Sequence, residues 1–308
     1  MSAQELPTAH PPVLAHGGVR TVAADCLRPT DPSAPRHAFT VDVEDWYQSC
    51  IDFDAPINDR VVRNVDRILE MLSRTNVRGT FFVQGMVAEA LPRMVEALVR
   101  EGHEVQSHGY SHRPLNRMNQ AALRDEVERA KKTVEDAAGT SVTAFRAQDF
   151  SVLGSNLWAL ETIAGVGFEI DSSIFPMQSA RYGIGGWMLA PHHVNLSGGV
   201  RLLEVPVAIW ARGSLRVPVA GGGYFRVLPQ AVLERAIRSI DSAGRPAAIY
   251  CHPYEFAPDE LAGYPNLPWK LRVSQGLGRS RFEARMTKLL RNVPFGSLRD
   301  VLDAWSVR

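Results

Sequence analysis

The feature that most constrains this chain is a regular alternation of short apolar runs with stretches of helical spacing. Residues 38–41 (Ala38, Phe39, Thr40, Val41) read as a buried strand. Residues 61–72 then repeat apolar side chains at helical intervals: Val61, Val65, Ile68, Leu69 and Leu72. The pattern recurs with strands expected at 79–83, 103–107, 142–145, 168–170, 202–209 and 247–251. Helices are expected between them at 86–100, 121–138, 156–164 and 229–242. Strands regularly separated by helices predict a parallel α/β sheet or barrel.

The chain has 308 residues, enough for one large α/β domain or two smaller ones. Residues 1–36 carry six prolines in polar, Ala-rich sequence without a sustained apolar period, so a flexible N-terminal arm is expected there. One domain is expected over 37–308. A C-terminal helical extension begins at about 258, where a Pro/Gly-rich excursion to 278 precedes helical patterns at 282–290 and 298–305.

Polar groups concentrate where the expected strands end. Asp42, Glu44 and Asp45 follow the first strand, and His108 and His112 follow the third. Arg146 with Asp149, then Asp171, then His252 follow later strands. In α/β folds the C-terminal strand ends form the active face, so these residues are expected to share a pocket. The His-x-x-x-His spacing brings two imidazoles to one side of a turn, where both can meet one metal. Pro114 places that pair on a loop or a single helical turn rather than a long helix. Three carboxylates within four residues repel one another unless a cation or proton shares the site. Two histidines and a carboxylate leave metal positions open for water and substrate. A further carboxylate can then act as base and a distant histidine as acid, a sufficient kit for amide hydrolysis. His103 reads as structural, and Cys251 as a small strand residue.

At these residues the sequence resembles the polysaccharide deacetylases of carbohydrate esterase family 4, the NodB-homology group. It is most similar to the branch associated with exopolysaccharide and exosortase (PEP-CTERM) loci. The resemblance runs from about residue 37 to the C-terminus and implies a distorted (β/α) barrel. Thr40-Val41-Asp42-Val43-Glu44-Asp45-Trp46-Tyr47 resembles the acidic motif, which makes Asp42 the catalytic base. The next carboxylate of that motif binds metal, a role open here to Glu44 or Asp45. Ser107-His108-Gly109-Tyr110-Ser111-His112 resembles the metal-binding histidine motif, with both histidines as ligands. Phe145-Arg146-Ala147-Gln148-Asp149 resembles the arginine motif, with Arg146 orienting the base; the family usually has proline where this chain has Gln148. Glu169-Ile170-Asp171-Ser172-Ser173 resembles a groove-lining motif, and Ile249-Tyr250-Cys251-His252-Pro253-Tyr254 the motif of the general acid, His252. Gly221-Gly222-Gly223-Tyr224-Phe225-Arg226 resembles a loop of the same branch. Asp149, Asp171, Tyr224 and Phe225 are therefore the expected substrate-binding residues. Trp187 and Trp210 are expected in core or rim packing.

The resemblance implies one divalent metal ion, Zn²⁺ first with Co²⁺ or Ni²⁺ as alternatives, and removal of acetyl from an N-acetylated carbohydrate. Rival readings are hydrolysis of another linear or cyclic amide on the same fold, a non-haem iron oxygenase, and a catalytically inactive carbohydrate-binding protein. The formal net charge of +1 gives no electrostatic case for a nucleic-acid partner. No run approaches the about 20 apolar residues that span a bilayer. The N-terminus does not read as a secretory signal, and three scattered cysteines do not form a disulfide framework, so a cytoplasmic location is expected.

Overall fold

The computed structural model describes residues 14–16, 19–179 and 181–308. Its strands, in chain order, are β1 (Leu14–His16), β2 (Val19–Ala23), β3 (His37–Val43), β4 (Thr80–Val83), β5 (Glu104–Ser107), β6 (Ala144–Phe145), β7 (Ile170–Asp171), β8 (His192–Asn195), β9 (Arg201–Glu204), β10 (Ile209–Arg212), β11 (Leu215–Pro218), β12 (Ala247–Cys251) and β13 (Phe295–Gly296). The main sheet runs β1-β2-β8-β9-β7-β6-β5-β4-β3-β12, with β13 also on β3, while β10 and β11 form a separate hairpin. From β12 through β3 to β7 and β9 every pairing is parallel; β8, β2 and β1 add an antiparallel edge. The α/β expectation holds. Strand β3 is buried along its whole length, as a parallel strand covered on both faces must be.

The period-two alternation of side chains explains what each face does. Phe39, Val41, Val43, Phe81 and Val83 join the larger core under the helices. Ala38, Phe82, Ala144, Ile170, Val205 and Ala248 form a second cluster with Leu298 and Trp305. These six come from β12, β3, β4, β6, β7 and the residue after β9, and they can meet only if the sheet curls around them. Thr40 and Arg146 confirm the curl. They lie on strands three intervals apart, about 14 Å in a flat sheet, yet Arg146 Nη1 donates to Thr40 Oγ1 at 2.6 Å. The inner floor is thus apolar and closed by Trp305. Continuing the same parity up each strand brings Asp42, His108, Arg146 and Ser172 to the inner rim.

Among the described residues the hydrogen-bonded ladder does not close into a continuous barrel. The gap between β9 and β12 is crossed by isolated bridges, Val207 with Ala248 and Gly221 with Tyr250. The single strand expected over 202–209 breaks because Pro206 has no N–H to donate. The single helix expected over 86–100 is likewise two, Gly85–Ala90 and Pro92–Arg100, with Pro92 opening the second. The long helix Gln120–Ala138 ends at Gly139 in the left-handed conformation.

The expectation of a flexible arm over 1–36 needs correction where residues are described. Val19–Ala23 pairs with β8 from Arg20–Asn195 to Ala23–His192, and Thr21 is fully buried. The arm reading of residues 1–13, 17 and 18 lies outside the described residues. The segment after 258 returns to the body: β13 pairs with β3, and Phe282, Leu289 and Trp305 are buried. No helix among the described residues is long and apolar enough to cross a membrane.

Candidate active site

A cleft of about 290 Å³ opens at the inner rim, lined by Asp42, Glu44, His108, His112, Tyr250 and His252 among others. Glu44, His108 and His112 are all buried, and their ligand atoms lie within 4.8 Å of one another. Glu44 Oε2 contacts His112 Nε2 and lies 3.5 Å from His108 Nε2. The His108 ring is oriented by its Nδ1, which meets the Arg146 carbonyl at 2.9 Å, so Nε2 faces Glu44. His112 sits at φ 62°, a strained value for a non-glycine residue. The pair therefore lies on a loop, as its proline predicts. Burial opposes a charge on Glu44, but the facing imidazoles outweigh it and hold the carboxyl well below the usual range. Burial likewise opposes a charge on His112, and Glu44 raises it. One cation shared by three buried donors fits this arrangement.

Asp45 belongs to a different structure. Its carboxylate caps the helix Trp46–Cys50, accepting from Tyr47 N at 2.8 Å and Gln48 N at 2.9 Å. It also accepts Asn58 N at 2.9 Å. Its oxygens are committed to backbone donors, so the expectation of metal ligation falls to Glu44 and not to Asp45.

Asp42 Oδ1 accepts from Arg146 Nη1 at 2.8 Å. The buried guanidinium also donates to Thr40 and to Ser172 Oγ at 2.9 Å, and stacks 4.2 Å over Phe82. It is fixed on every side and so fixes the carboxylate. Across the cleft, His252 Nδ1 is 3.2 Å from Glu255 Oε2, and its ring stacks on Tyr254 at 4.8 Å. Burial disfavours the imidazolium, yet Glu255, Glu44 and Asp42 outweigh it and raise His252 to about 9.

The expected substrate-binding residues divide. Asp149 lines the cleft and pairs with Arg181 at 2.8 Å. Tyr224, on the helix Gly223–Val227, is half-buried and bonds to Tyr182, which lines the cleft. Asp171 and Phe225 are corrections. Asp171 is fully buried and accepts from Ser173 Oγ at 2.6 Å, and it shares a hydrogen bond with Glu204. Ile170 and Ser172 face the inner side, so Asp171 points to the opposite face of the sheet, where burial raises its pKa and that of Glu204. Phe225 points into the main core. His103 accepts Gly79 N, a structural role, and Trp187 is buried.

Sequence reasoning missed Glu126. Its carboxylate accepts Tyr110 N, Ser111 N, Ser111 Oγ and Gln148 Nε2 at 2.7–3.0 Å, gripping the loop between the two histidines. It lies on the helix Gln120–Ala138, and nothing local in the sequence marks it. Glu255 had a usable signal: it stands three residues after His252, the spacing of a capping box.

Comparison with known proteins adds to this geometry. A family model described as "Polysaccharide deacetylase" matches residues 50–152, and one for a domain of unknown function (DUF3473) matches residues 172–303. A peptidoglycan-N-acetylglucosamine deacetylase of Bacillus cereus is 32% identical over 96 residues, 31% of this chain and 35% of its own length. A chitooligosaccharide deacetylase of a Bradyrhizobium species is 28% identical over 117 residues, 38% of this chain and 53% of its own. The chain thus spans about a third to a half of these curated relatives. Among solved structures, a Mycobacterium smegmatis protein assigned to the polysaccharide deacetylases superposes with a TM-score of 0.62 at 20% identity, covering 93% of this chain and 95% of its own. An allantoinase superposes with a TM-score of 0.57 at 16% identity, covering 90% and 94%. The α/β fold matches that of the NodB-type polysaccharide deacetylases, and the similarity in sequence to that family lies in residues 50–152.

Proposed function

We propose, on the premise of that match, that the chain is a metal-dependent N-deacetylase acting in the cytoplasm on an N-acetylated sugar of a polysaccharide or its precursor, in exopolysaccharide biosynthesis. One observation carries the reading. The buried Glu44–His108–His112 group opens onto the same cleft as the Arg146-anchored Asp42 and the Glu255-anchored His252.

Glu44, His108 and His112 would hold a divalent metal, which when bound polarises the acetamido carbonyl and acidifies water. Asp42, kept in one orientation by Arg146, takes the proton of the attacking water. Protonated His252 stands across the cleft and gives its proton to the departing nitrogen as the C–N bond breaks. Glu255 holds that ring in register and favours its charged form. The products are acetate and a free amino sugar. Asp149 and Tyr224 stand where the sugar chain would lie.

The test is acetate release from N-acetylglucosamine oligomers by chelated protein, with and without added Zn²⁺ or Co²⁺. Metal-restored release is expected, and Asp42→Asn should abolish turnover while retaining metal. Stoichiometric metal binding without acetate release would overturn the deacetylase reading, and wild-type rates in Asp42→Asn would overturn the assignment of the base.

A further inference from the structure

We propose that the helix at the cleft rim, Trp269–Gly276, docks on an anionic lipid surface, so that the carbohydrate is presented to the cleft from a membrane. The lipid-borne substrate rests on the deacetylase reading; the docking surface does not.

This helix buries none of its residues. Trp269, Val273 and Leu277 follow one another at four-residue intervals, so they form one stripe, and they are 70%, 61% and 57% exposed. Val227, 56% exposed, borders the stripe, because the Arg226 carbonyl approaches Gly278 closely. An exposed tryptophan flanked by aliphatic residues is costly in water and gains the fold nothing.

The stripe is not a loose segment awaiting a core. Arg272 donates to the Leu261 carbonyl at 2.9 Å and the Tyr264 carbonyl at 2.7 Å. Arg279 Nε donates to the Gln275 carbonyl at 2.6 Å, and Arg226 donates to the same oxygen. Leu271 packs inward against the cluster of Trp46, Tyr254 and Leu261. The helix is pinned with its apolar side outward. Gln275 lines the cleft, so the stripe borders the mouth through which substrate must pass.

Charge selects the occupant. Lys270, 5.8 Å from the Trp269 ring, and Arg281, four residues after Leu277, are exposed and have no acidic partner among the described residues. The acids of the same segment are engaged elsewhere, Asp259 by Arg63 and Glu260 by Asn64. A tryptophan-bearing apolar face with two cations near its ends that no carboxylate neutralises suits the headgroup boundary of an anionic leaflet, such as the cytoplasmic one.

The experiment is co-sedimentation of the full chain with phosphatidylcholine vesicles containing phosphatidylglycerol, and with vesicles of phosphatidylcholine alone. Acetate release from soluble N-acetylglucosamine oligomers is measured in parallel. The wild type is expected on the anionic vesicles. Trp269→Ser/Val273→Ser/Leu277→Ser should weaken that binding at least about tenfold. Lys270→Glu/Arg281→Glu should do the same, and both variants should keep wild-type release from soluble oligomers. All five side chains are exposed, so neither variant removes core packing. Equal vesicle binding by wild type and variants, or none by wild type, overturns the proposal. So does a wild type that is dimeric by light scattering, a serine variant that is monomeric, and no vesicle binding by either, which assigns the stripe to a second copy. Vesicle binding lost in the variants, with no acetate release from any acetylated sugar, supports docking and removes the carbohydrate reading alone.

Discussion

Replacing Glu126 by glutamine keeps the shape of the side chain and removes its charge. Oε1 accepts Tyr110 N at 2.8 Å, Ser111 N at 2.7 Å and Gln148 Nε2 at 3.0 Å, and Oε2 accepts Ser111 Oγ at 2.9 Å. Glutamine keeps one acceptor oxygen, and its amide can donate to the Ser111 hydroxyl, which rotates to suit. The loss is the charge assistance of three bonds, about 1 kcal/mol each. Glu126 is only partly buried, so solvent screens some of this, leaving about 1.5–3 kcal/mol. That energy holds Tyr110 and Ser111, the two residues that set the distance from Gly109 to His112. It should therefore appear as lost preorganisation of the metal site, a fall of roughly tenfold to a hundredfold in affinity. Chelator competition for Zn²⁺ measures it, beside urea unfolding of the metal-free protein. A metal affinity within about twofold of wild type would refute the reasoning, because the loop would then be held by something other than this carboxylate.

Other expectations follow from neighbouring features. Glu255 helps raise His252 to about 9, so the protonated acid is lost as pH rises through that value; Glu255→Gln should move the alkaline limb of the rate profile down by about one unit, and an unmoved limb would exclude His252 as the acid. Gly109 has φ +70°, and an added Cβ would lie 2.4 Å from Gln148 Oε1. Gly109→Ala should cost about 1–2 kcal/mol for the backbone alone, plus a steric part that Gln148→Ala relieves in the double variant; strict additivity in a denaturation cycle would dismiss the contact. His37 and His192 are buried neutral, each with its pKa lowered by burial from 6.5 to about 4. The unfolded chain binds more protons between those values, so stability is full above pH 6.5 and falls toward pH 4. Between pH 7 and 5 these two histidines together remove on the order of 3–4 kcal/mol of stability from the metal-free protein, so His37→Gln/His192→Gln should flatten the pH slope of urea titrations by about that amount.

Much of this architecture was written locally. Apolar runs of strand length between helical patterns specify a parallel sheet, because each backbone segment must satisfy its own hydrogen bonds and bury its own apolar side. Period-two alternation carried further information: Thr40 and Asp42 share one side of β3, and Ala144 and Arg146 continue one side of β6. The side chain facing inward at a strand's end could thus be named from sequence, and Asp42, His108, His112, Arg146 and His252 all line or contact the cleft. Which of these groups share a volume was decided only when the sheet curled. Glu44 and Asp45 are adjacent carboxylates on paper; one meets two imidazoles from another strand, and the other meets the amides of the helix that starts beside it. Asp171 looked like a rim residue, but alternation along its strand turns it away from the inner side held by Ile170 and Ser172 and buries it beside Glu204. Glu126 carried no local mark because its role is a contact across 15 residues of chain to Ser111. Directions of side chains are local and periodic, and so are legible in sequence. Proximity between strand ends and helix flanks depends on how far the sheet bends and which segments cross its open side, and only tertiary packing sets that.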